Sequence, residues 1–327
     1  MKRWGLLVAV AVLAIAFPAV LPSWRTQMSY LVIMIVFSLT WDLLGGQMGY
    51  NSFGNVLFFG VGMYACAVVQ RDVHLSYPAT LALGIAAGAA AAVLVAAVFG
   101  SGMLGLRGHY FAIGTLGLGI LAGELAGGWD FVGGGGGMVP PQYPGALGGR
   151  ETFFYYLSFA LAAATFFTLR FLYGGRFGLA INAIRDDEDK AEAMGLWTTR
   201  YKTAAWCVSA LFLGIGGAIV GNVSGFIDPR ETAFAGSTYG VWMVLMAILG
   251  GKGTLWGPVL GAVIFHVTKE LFWTYLLDWQ QVALGFLIVV IVIFFPTGIL
   301  GWARERWPER FGHRVEVDEP APAEASG

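Results

Sequence analysis

From Tyr77 to Phe99 the chain reads Tyr-Pro-Ala-Thr-Leu-Ala-Leu-Gly-Ile-Ala-Ala-Gly-Ala-Ala-Ala-Ala-Val-Leu-Val-Ala-Ala-Val-Phe, without one charged residue. About 20 consecutive apolar residues are needed for a helix to cross a hydrocarbon core roughly 30 Å thick. This stretch therefore reads as a membrane span. Applied outward in both directions, the same test predicts about ten spans, near 5–22, 28–44, 53–70, 77–99, 107–126, 152–173, 203–224, 237–250, 255–277 and 280–300. Composition agrees, because 57% of the 327 residues are hydrophobic, 12% are charged and the mean hydropathy is +0.70. The 48 glycines would weaken soluble helices, but membrane helices use small residues where backbones pack closely. The expected fold is an all-α polytopic membrane protein. Cys66 and Cys207 both fall in apolar runs, where a thiol behaves as a small hydrophobe, so no disulfide framework or metal site is expected. The cations are scattered rather than gathered on one face, which argues against nucleic acid as a partner.

Orientation follows from where those cations fall. Ten spans put Lys2, Arg3, Arg107, Arg170, Arg176, Arg185, Lys190, Arg200, Lys202, Lys252, Arg304, Arg306, Arg310 and Arg314 on one side. The other side holds Arg25, Arg71, Arg150 and Arg230. The richer side is cytoplasmic by the positive-inside rule, so both termini are expected there. The basic Met1-Lys2-Arg3 start also fits a signal peptide, although the apolar run to Pro22 is long for one. Residues 127–151, with Gly133–Gly137 and Pro140-Pro141, read as a flexible external loop. Residues 1–314 form one membrane domain, and the Pro-, Ala- and Glu-rich tail 315–327 reads as disordered.

The inward segment 174–202 is helical in pattern but does not span. Asp186 and Asp187 can cap a helix that runs through Lys190, Ala191 and Met194, and Gly195 offers its stop. Upstream, Leu179, Ala183 and Ile184 recur at helical spacing. Two short helices joined near Asp186 would present a small apolar ridge edged with charge, suited to a groove on a partner. A solvated connector has the same composition.

Four stretches resemble the permease subunits of ATP-binding-cassette importers for branched-chain amino acids. They are Arg176–Gly195; Ser52-Phe-Gly with Phe59-Gly-Val-Gly-Met-Tyr-Ala65; Arg107-Gly-His-Tyr-Phe-Ala-Ile-Gly-Thr-Leu-Gly117; and Leu249-Gly-Gly-Lys-Gly-Thr-Leu-Trp-Gly-Pro-Val-Leu-Gly-Ala262. Their order and spacing carry the likeness from Ser52 to Phe295-Pro-Thr-Gly298, and the glycine run 133–137 departs from the family pattern. The resemblance implies a cytoplasmic coupling helix within 174–202, gripped by a separate ATP-binding subunit. Arg176, Ala183, Arg185, Asp186, Asp187, Ala191, Glu192, Met194 and Gly195 would make that contact. It implies a second, related permease subunit, an external solute-binding protein, and a place in the bacterial inner membrane. Branched-chain amino acids are the implied cargo, with urea or short amides as the alternative.

Nothing in the chain would hydrolyse ATP itself. A phosphate loop needs G-x-x-x-x-G-K-[ST], and in Gly250-Gly-Lys-Gly-Thr254 a glycine follows Lys252. No catalytic residue or cofactor is therefore expected, ATP belonging to the partner. For the solute pathway, Gly45-Gly-Gln-Met-Gly-Tyr-Asn-Ser-Phe-Gly-Asn55 sets Gln47, Asn51, Ser52 and Asn55 among glycines between two apolar runs. That composition fits a helix broken at membrane depth beside a cavity, and equally a short cytoplasmic loop. Thr115, among Gly114, Gly117 and Gly119, joins the pathway candidates or serves helix packing. Ionisable residues within spans are costly; His266, Lys269, Glu270 and Glu124 read either as pathway groups or as internal ion pairs. The competing function is an ion-driven secondary transporter, which would ordinarily carry carboxylates at mid-depth.

Overall fold

The computed structural model describes residues 15–276, 279–294 and 298–306. The described chain is helical, apart from turns and one isolated antiparallel bridge between Met138 and Ile227. Its helices are α1 (Arg25–Gly45), α2 (Asn55–Asp72), α3 (Tyr77–Met103), α4 (His109–Gly128), α5 (Leu147–Tyr173), α6 (Arg176–Asp186), α7 (Glu188–Ala193), α8 (Thr198–Ser224), α9 (Val241–Gly250), α10 (Gly257–Tyr275), α11 (Gln280–Phe294) and α12 (Gly298–Arg306). Proline opens α3 and α10, at helical positions where its missing N–H costs nothing.

Six segments are long and apolar enough to cross a membrane: Pro22–Gly45, Tyr77–Gly100, His109–Gly128, Leu147–Tyr173, Thr198–Ser224 and Pro229–Gly250. The chain is therefore a polytopic all-α membrane protein, with six such segments among the described residues where about ten spans were expected. The difference has identifiable sources. α2 ends in Arg71 and Asp72, α10 carries His266, Lys269 and Glu270, and α11 has only 15 residues. Most of the first expected span, residues 1–14, lies outside the described residues, as does the tail 315–327.

α1 is buried along most of its length and packs against α5, α8, α9 and α10. Phe37, Trp41, Phe58, Phe59 and Trp206 fill the centre. Beside it α2, α3 and α8 pack tightly because their contacts are glycines. A Cβ at Gly62 would lie 2.2 Å from the carbonyl oxygen of Gly214, so no side chain fits between the two backbones. This is the small-residue packing that replaces a hydrophobic drive inside lipid. α4 lies at the edge, exposing Tyr110, Ile113, Ile120, Leu121 and Leu125.

The connections sort onto two ends. One, the near end, gathers 46–50, 104–108, 174–197 and 251–256: Lys202 donates to Leu104 O at 2.7 Å and Gly253 N donates to Asp42 Oδ1 at 2.7 Å. At the far end Arg71 donates to Phe131 O, and Arg150 to the carbonyls of Asn222 and Val223. The expected flexible loop is pinned there. Asp130–Val132 and Gly134–Gly136 form 3₁₀ turns, and Met138 exchanges backbone hydrogen bonds with Ile227 at 2.9 and 2.8 Å. Glycine-rich composition marked the turns but not their partners.

Candidate functional site

The site lies where α1 stops at Gly45 and α2 starts at Asn55. Between them the chain is irregular and buried, which is tolerated only if its polar groups find protein partners or a wet cavity. Gln47 N donates to Asp42 O at 2.8 Å, Tyr50 N to Leu44 O at 2.8 Å, and Gly49 takes φ +81°. Trp41 Nε1 donates to Ser52 O at 2.8 Å, and Ser52 Oγ accepts from Gly54 N at 3.3 Å. Phe53 N donates to Thr115 Oγ1 at 3.1 Å, while Thr115 Oγ1 donates to Ala112 O at 3.0 Å. The structure thus brings Ser52, Asn55 and Thr115 together in one fully buried zone, while Gln47, 8% exposed, lies nearer the near end, where Gly46 and Gly49 meet Gly253 and Arg185. Asn51 departs from the expectation: it is exposed, because the backbone bonds of Tyr50 and Ser52 turn the intervening residue outward.

Two measures place this zone at depth. Thr115 is six residues into α4, roughly 9 Å along the helix from His109. A Cβ at Gly240 would lie 3.3 Å from Phe53 O, and Gly240 precedes the 10 residues of α9, roughly 15 Å from the near end. The two measures put the zone roughly 9 to 15 Å into a core about 30 Å thick. Here a second irregular stretch meets the first. Pro229–Ala233 and Gly236–Gly240 are single π turns leading into α9, with Asp228 Oδ1 accepting from Arg230 N and Glu231 N. π turns are rare and frequent at functional sites. Tyr239 stacks on Phe37 at 5.6 Å and packs against Phe59. The sequence showed only the short span near 237–250. The side-chain amide of Asn55, fully buried, has no hydrogen-bond partner among the described residues.

Toward the far end, α2, α4 and Phe234 line an open apolar groove of about 380 Å³ that includes Val61, Tyr64, Val68, Ala122 and the exposed Leu125. Val61 is six residues beyond Asn55, and Ala122 seven beyond Thr115. The groove and the buried zone therefore sit on the same two helices, roughly 10 Å apart.

At the near end α6 and α7 form the helical loop. Asp187 caps α7, accepting from Lys190 N at 3.0 Å and pairing with Lys190 Nζ at 2.9 Å. These bonds hold its carboxyl below the usual carboxylate range. Asp186 instead ends α6 and pairs with Arg185 at 3.0 Å. Gly195 follows with φ +88° and nothing near its missing side chain, and Glu192 accepts from the hydroxyl of Thr198. The outer surface presents Arg176, Leu179, Ala183 and Met194, with Leu179 and Met194 at 74% and 88% exposure. Ala191 and Ile184 do not share that surface. They are 5% and 3% exposed, because α6 and α7 pack their inner faces on α5 and α8. The ridge is therefore Leu179, Ala183 and Met194, without Ala191.

An ion knot ties this loop to the break. Lys202 Nζ, with its side chain 4% exposed, donates to Glu188 Oε1 at 2.6 Å, Leu104 O at 2.7 Å and Tyr50 Oη at 3.0 Å. Tyr50 Oη donates to Glu188 Oε2 at 2.5 Å. Arg107 lies 3.5 Å from Glu188 and 2.8 Å from Asp189. Burial alone would raise the Glu188 carboxyl. The Lys202 and Tyr50 hydrogen bonds, with the charges of Lys202 and Arg107, outweigh it and hold the carboxyl below its ordinary value. The pattern of residues did not single out Tyr50, Glu188 or Lys202. Nor did it flag Asp42, whose lone carboxylate in an apolar span is the signal that should have.

Of the remaining polar candidates, Lys269, Glu270 and Glu124 have structural partners, whereas the buried His266 Nε2 has no hydrogen-bond partner among the described residues. Lys269 pairs with Glu270 at 3.0 Å and stands 5.2 Å from the Trp242 ring centre; His266 is buried nearby on α10. Glu124 pairs with Arg230 at 2.6 Å. Asn222 Oδ1 accepts from Gln70 and Tyr77.

No solved structure matches the chain. Its sequence is similar to the high-affinity branched-chain amino acid transport system permease protein LivM of Salmonella typhimurium and that of Escherichia coli, each 28% identical over 93% of this chain and 76% of the relative. It is also similar to LivH of Salmonella typhimurium, 29% identical over 40% of this chain and 42% of that protein. The profile of the family described as branched-chain amino acid transport system / permease component matches residues 24–292, and the chain belongs to that family.

Proposed function

We propose that the chain is the membrane-spanning subunit of an ATP-binding-cassette importer that moves small amino acids, branched-chain ones foremost, into a bacterial cell. ATP is bound and hydrolysed by separate subunits that dock on 174–202, so the chain is not itself an enzyme and needs no cofactor of its own. A second, related permease subunit and an external binding protein complete the machine. The near end is cytoplasmic, which puts Arg25, Arg71, Arg150 and Arg230 outside and both termini inside. α2, α10 and α11 add crossings to the six long apolar segments, toward the expected ten.

One observation carries this reading: a helical loop with an apolar, charge-edged outer ridge is joined by buried ionic bonds to a broken segment at membrane depth. A solvated connector would need no such join. The path for the solute runs from the open apolar groove, whose lining suits an aliphatic side chain, to the buried polar groups of Asn55, Ser52 and Thr115. Irregular backbone at depth is where transporters bind charged ends of their solutes.

The test alters the ridge without touching the spans. A β-branched side chain resists the left-handed backbone of Gly195 by about 1 kcal/mol or more, and the open surroundings add no clash. In Gly195→Val and in Leu179→Asp, membrane insertion should be normal, co-purification of the ATP-binding subunits should fall, and ATP-dependent uptake should be lost. Full uptake by both variants would make 174–202 a plain connector and favour an ion-driven carrier.

A further inference from the structure

We infer that the Lys202–Glu188–Tyr50 knot is the strut through which movement of α7 opens and closes the broken segment at depth, with Tyr50 as its positioning residue. This rests on the reading of 174–202 as the docking site of the ATP-binding subunits. Glu188 is the first residue of α7, so it moves with that helix. Its two oxygens go to different places: Oε1 takes Lys202, at the start of α8, and Oε2 takes Tyr50, in the middle of the break. The ammonium spends all three of its donors, the third on Leu104 O at the end of α3. α7, α8 and the break therefore meet on one carboxylate, and the end of α3 is tied to the same ammonium.

Such a knot is a poor means of adding stability. Desolvating an ammonium and a carboxylate offsets most of their attraction, and apolar residues of similar volume commonly serve as well. What buried ions do supply is a fixed geometry with directional bonds. Here the fixed point is Tyr50, and Phe53, bonded to Thr115 at depth, is three residues on. That length of chain extends to no more than about 10 Å, so Tyr50 and Phe53 stay closely linked and a shift at one is passed toward the other. Asp42 holds the other end of the break through Gly253 N, and Arg185 packs on Gly49, where a Cβ would stand 3.2 Å from Arg185 Cγ. The break is thus anchored at both ends and pulled in its middle.

Tyr50→Phe tests the strut with little risk to the fold. The ring keeps its edge-on contact with Phe111 at 5.1 Å, and the Lys202–Glu188 pair survives. In the assembled importer, reconstituted in vesicles with its binding protein, the variant should co-purify its ATP-binding subunits as the wild type does. Solute molecules moved per ATP hydrolysed should fall about tenfold, as for loss of one hydrogen bond to a charged group. A merely structural bond would lower uptake and hydrolysis together and leave that ratio unchanged. Lys202→Met should show the same uncoupling if it inserts, and Tyr50→Phe decides alone if it does not. An unchanged ratio in Tyr50→Phe, or loss of the ATP-binding subunits from it, overturns the strut. Failure of the docking reading would show separately, as uptake retained by Gly195→Val.

Discussion

Asp42 and Gly253 are 211 residues apart in the chain, yet the carboxylate accepts the glycine N–H at 2.7 Å. The bond joins the last turn of α1 to the turn between α9 and α10, where Thr254 Oγ1 also accepts from Gly257 N at 2.9 Å. The end of α1 and the α9–α10 turn therefore share one buried acceptor. Asp42→Asn keeps an oxygen at that position and should hold the turn. Asp42→Ala leaves the glycine N–H buried and unpaired, which costs about 1–3 kcal/mol. Thermal unfolding in detergent should show Asp42→Ala clearly below Asp42→Asn, and equal melting of the two would disprove the role.

The two-ended sorting of cations makes a second prediction. Arg71 and Arg150 bond at the far end, whereas Arg185 and Lys202 bond at the near end. If the near end is cytoplasmic, a cysteine at exposed Asp186 should resist a membrane-impermeant reagent in intact cells and react after lysis. A cysteine at exposed Gly136 should react before lysis. The reverse pattern would invert the molecule.

The ion knot has a definite pH window. Glu188 has a folded value below the ordinary 4.5, so it binds fewer protons folded than unfolded. Its contribution is complete above 4.5 and is lost as pH falls from there through the folded value. The difference in melting temperature between the wild type and Glu188→Gln should therefore stay flat from about pH 8 to 5 and shrink only below that range. A decline between pH 8 and 6 would mean that another group controls the knot.

Much of this architecture is legible in residue order, because lipid imposes a length and composition on every span. The apolar runs around 77–99 and 152–173 coincide with α3 and α5. The Asp187 cap and the Gly195 stop were equally readable, since each is a local demand on backbone shape. Inner and outer faces of the short loop were not. α7 is only six residues long, too few for a period to reveal that Ala191 turns inward while Met194 turns out. Among Asp186, Asp187, Glu188 and Asp189, composition cannot show which acid is folded under, because its partners Lys202 and Tyr50 lie 14 and 138 residues away. The π turns before α9 were hidden for a related reason: Pro229, Gly236 and Gly240 mark irregular backbone in 229–240, but nothing in that polar stretch shows that it packs at depth against Phe37 and Phe53.

The last prediction concerns the buried polar groups. Thr115 does two things at once: its hydroxyl accepts from Phe53 N and donates to Ala112 O. Valine copies its shape but not its hydroxyl, so Thr115→Val leaves a buried N–H unpaired at depth, at about 1–3 kcal/mol. Serine keeps the hydroxyl and should keep the bond. Asn55 differs, because its amide has no hydrogen-bond partner among the described residues, and removing it strands no other described polar group. Asn55→Leu should therefore cost little stability, whereas a solute that uses this amide would lose a hydrogen bond, and uptake affinity should weaken about tenfold. In uptake assays on cells making equal amounts of protein, Thr115→Ser should resemble the wild type. Thr115→Val should lose stability and uptake together, and Asn55→Leu should lose uptake at unchanged stability. Wild-type uptake affinity in Asn55→Leu would remove this amide from the pathway.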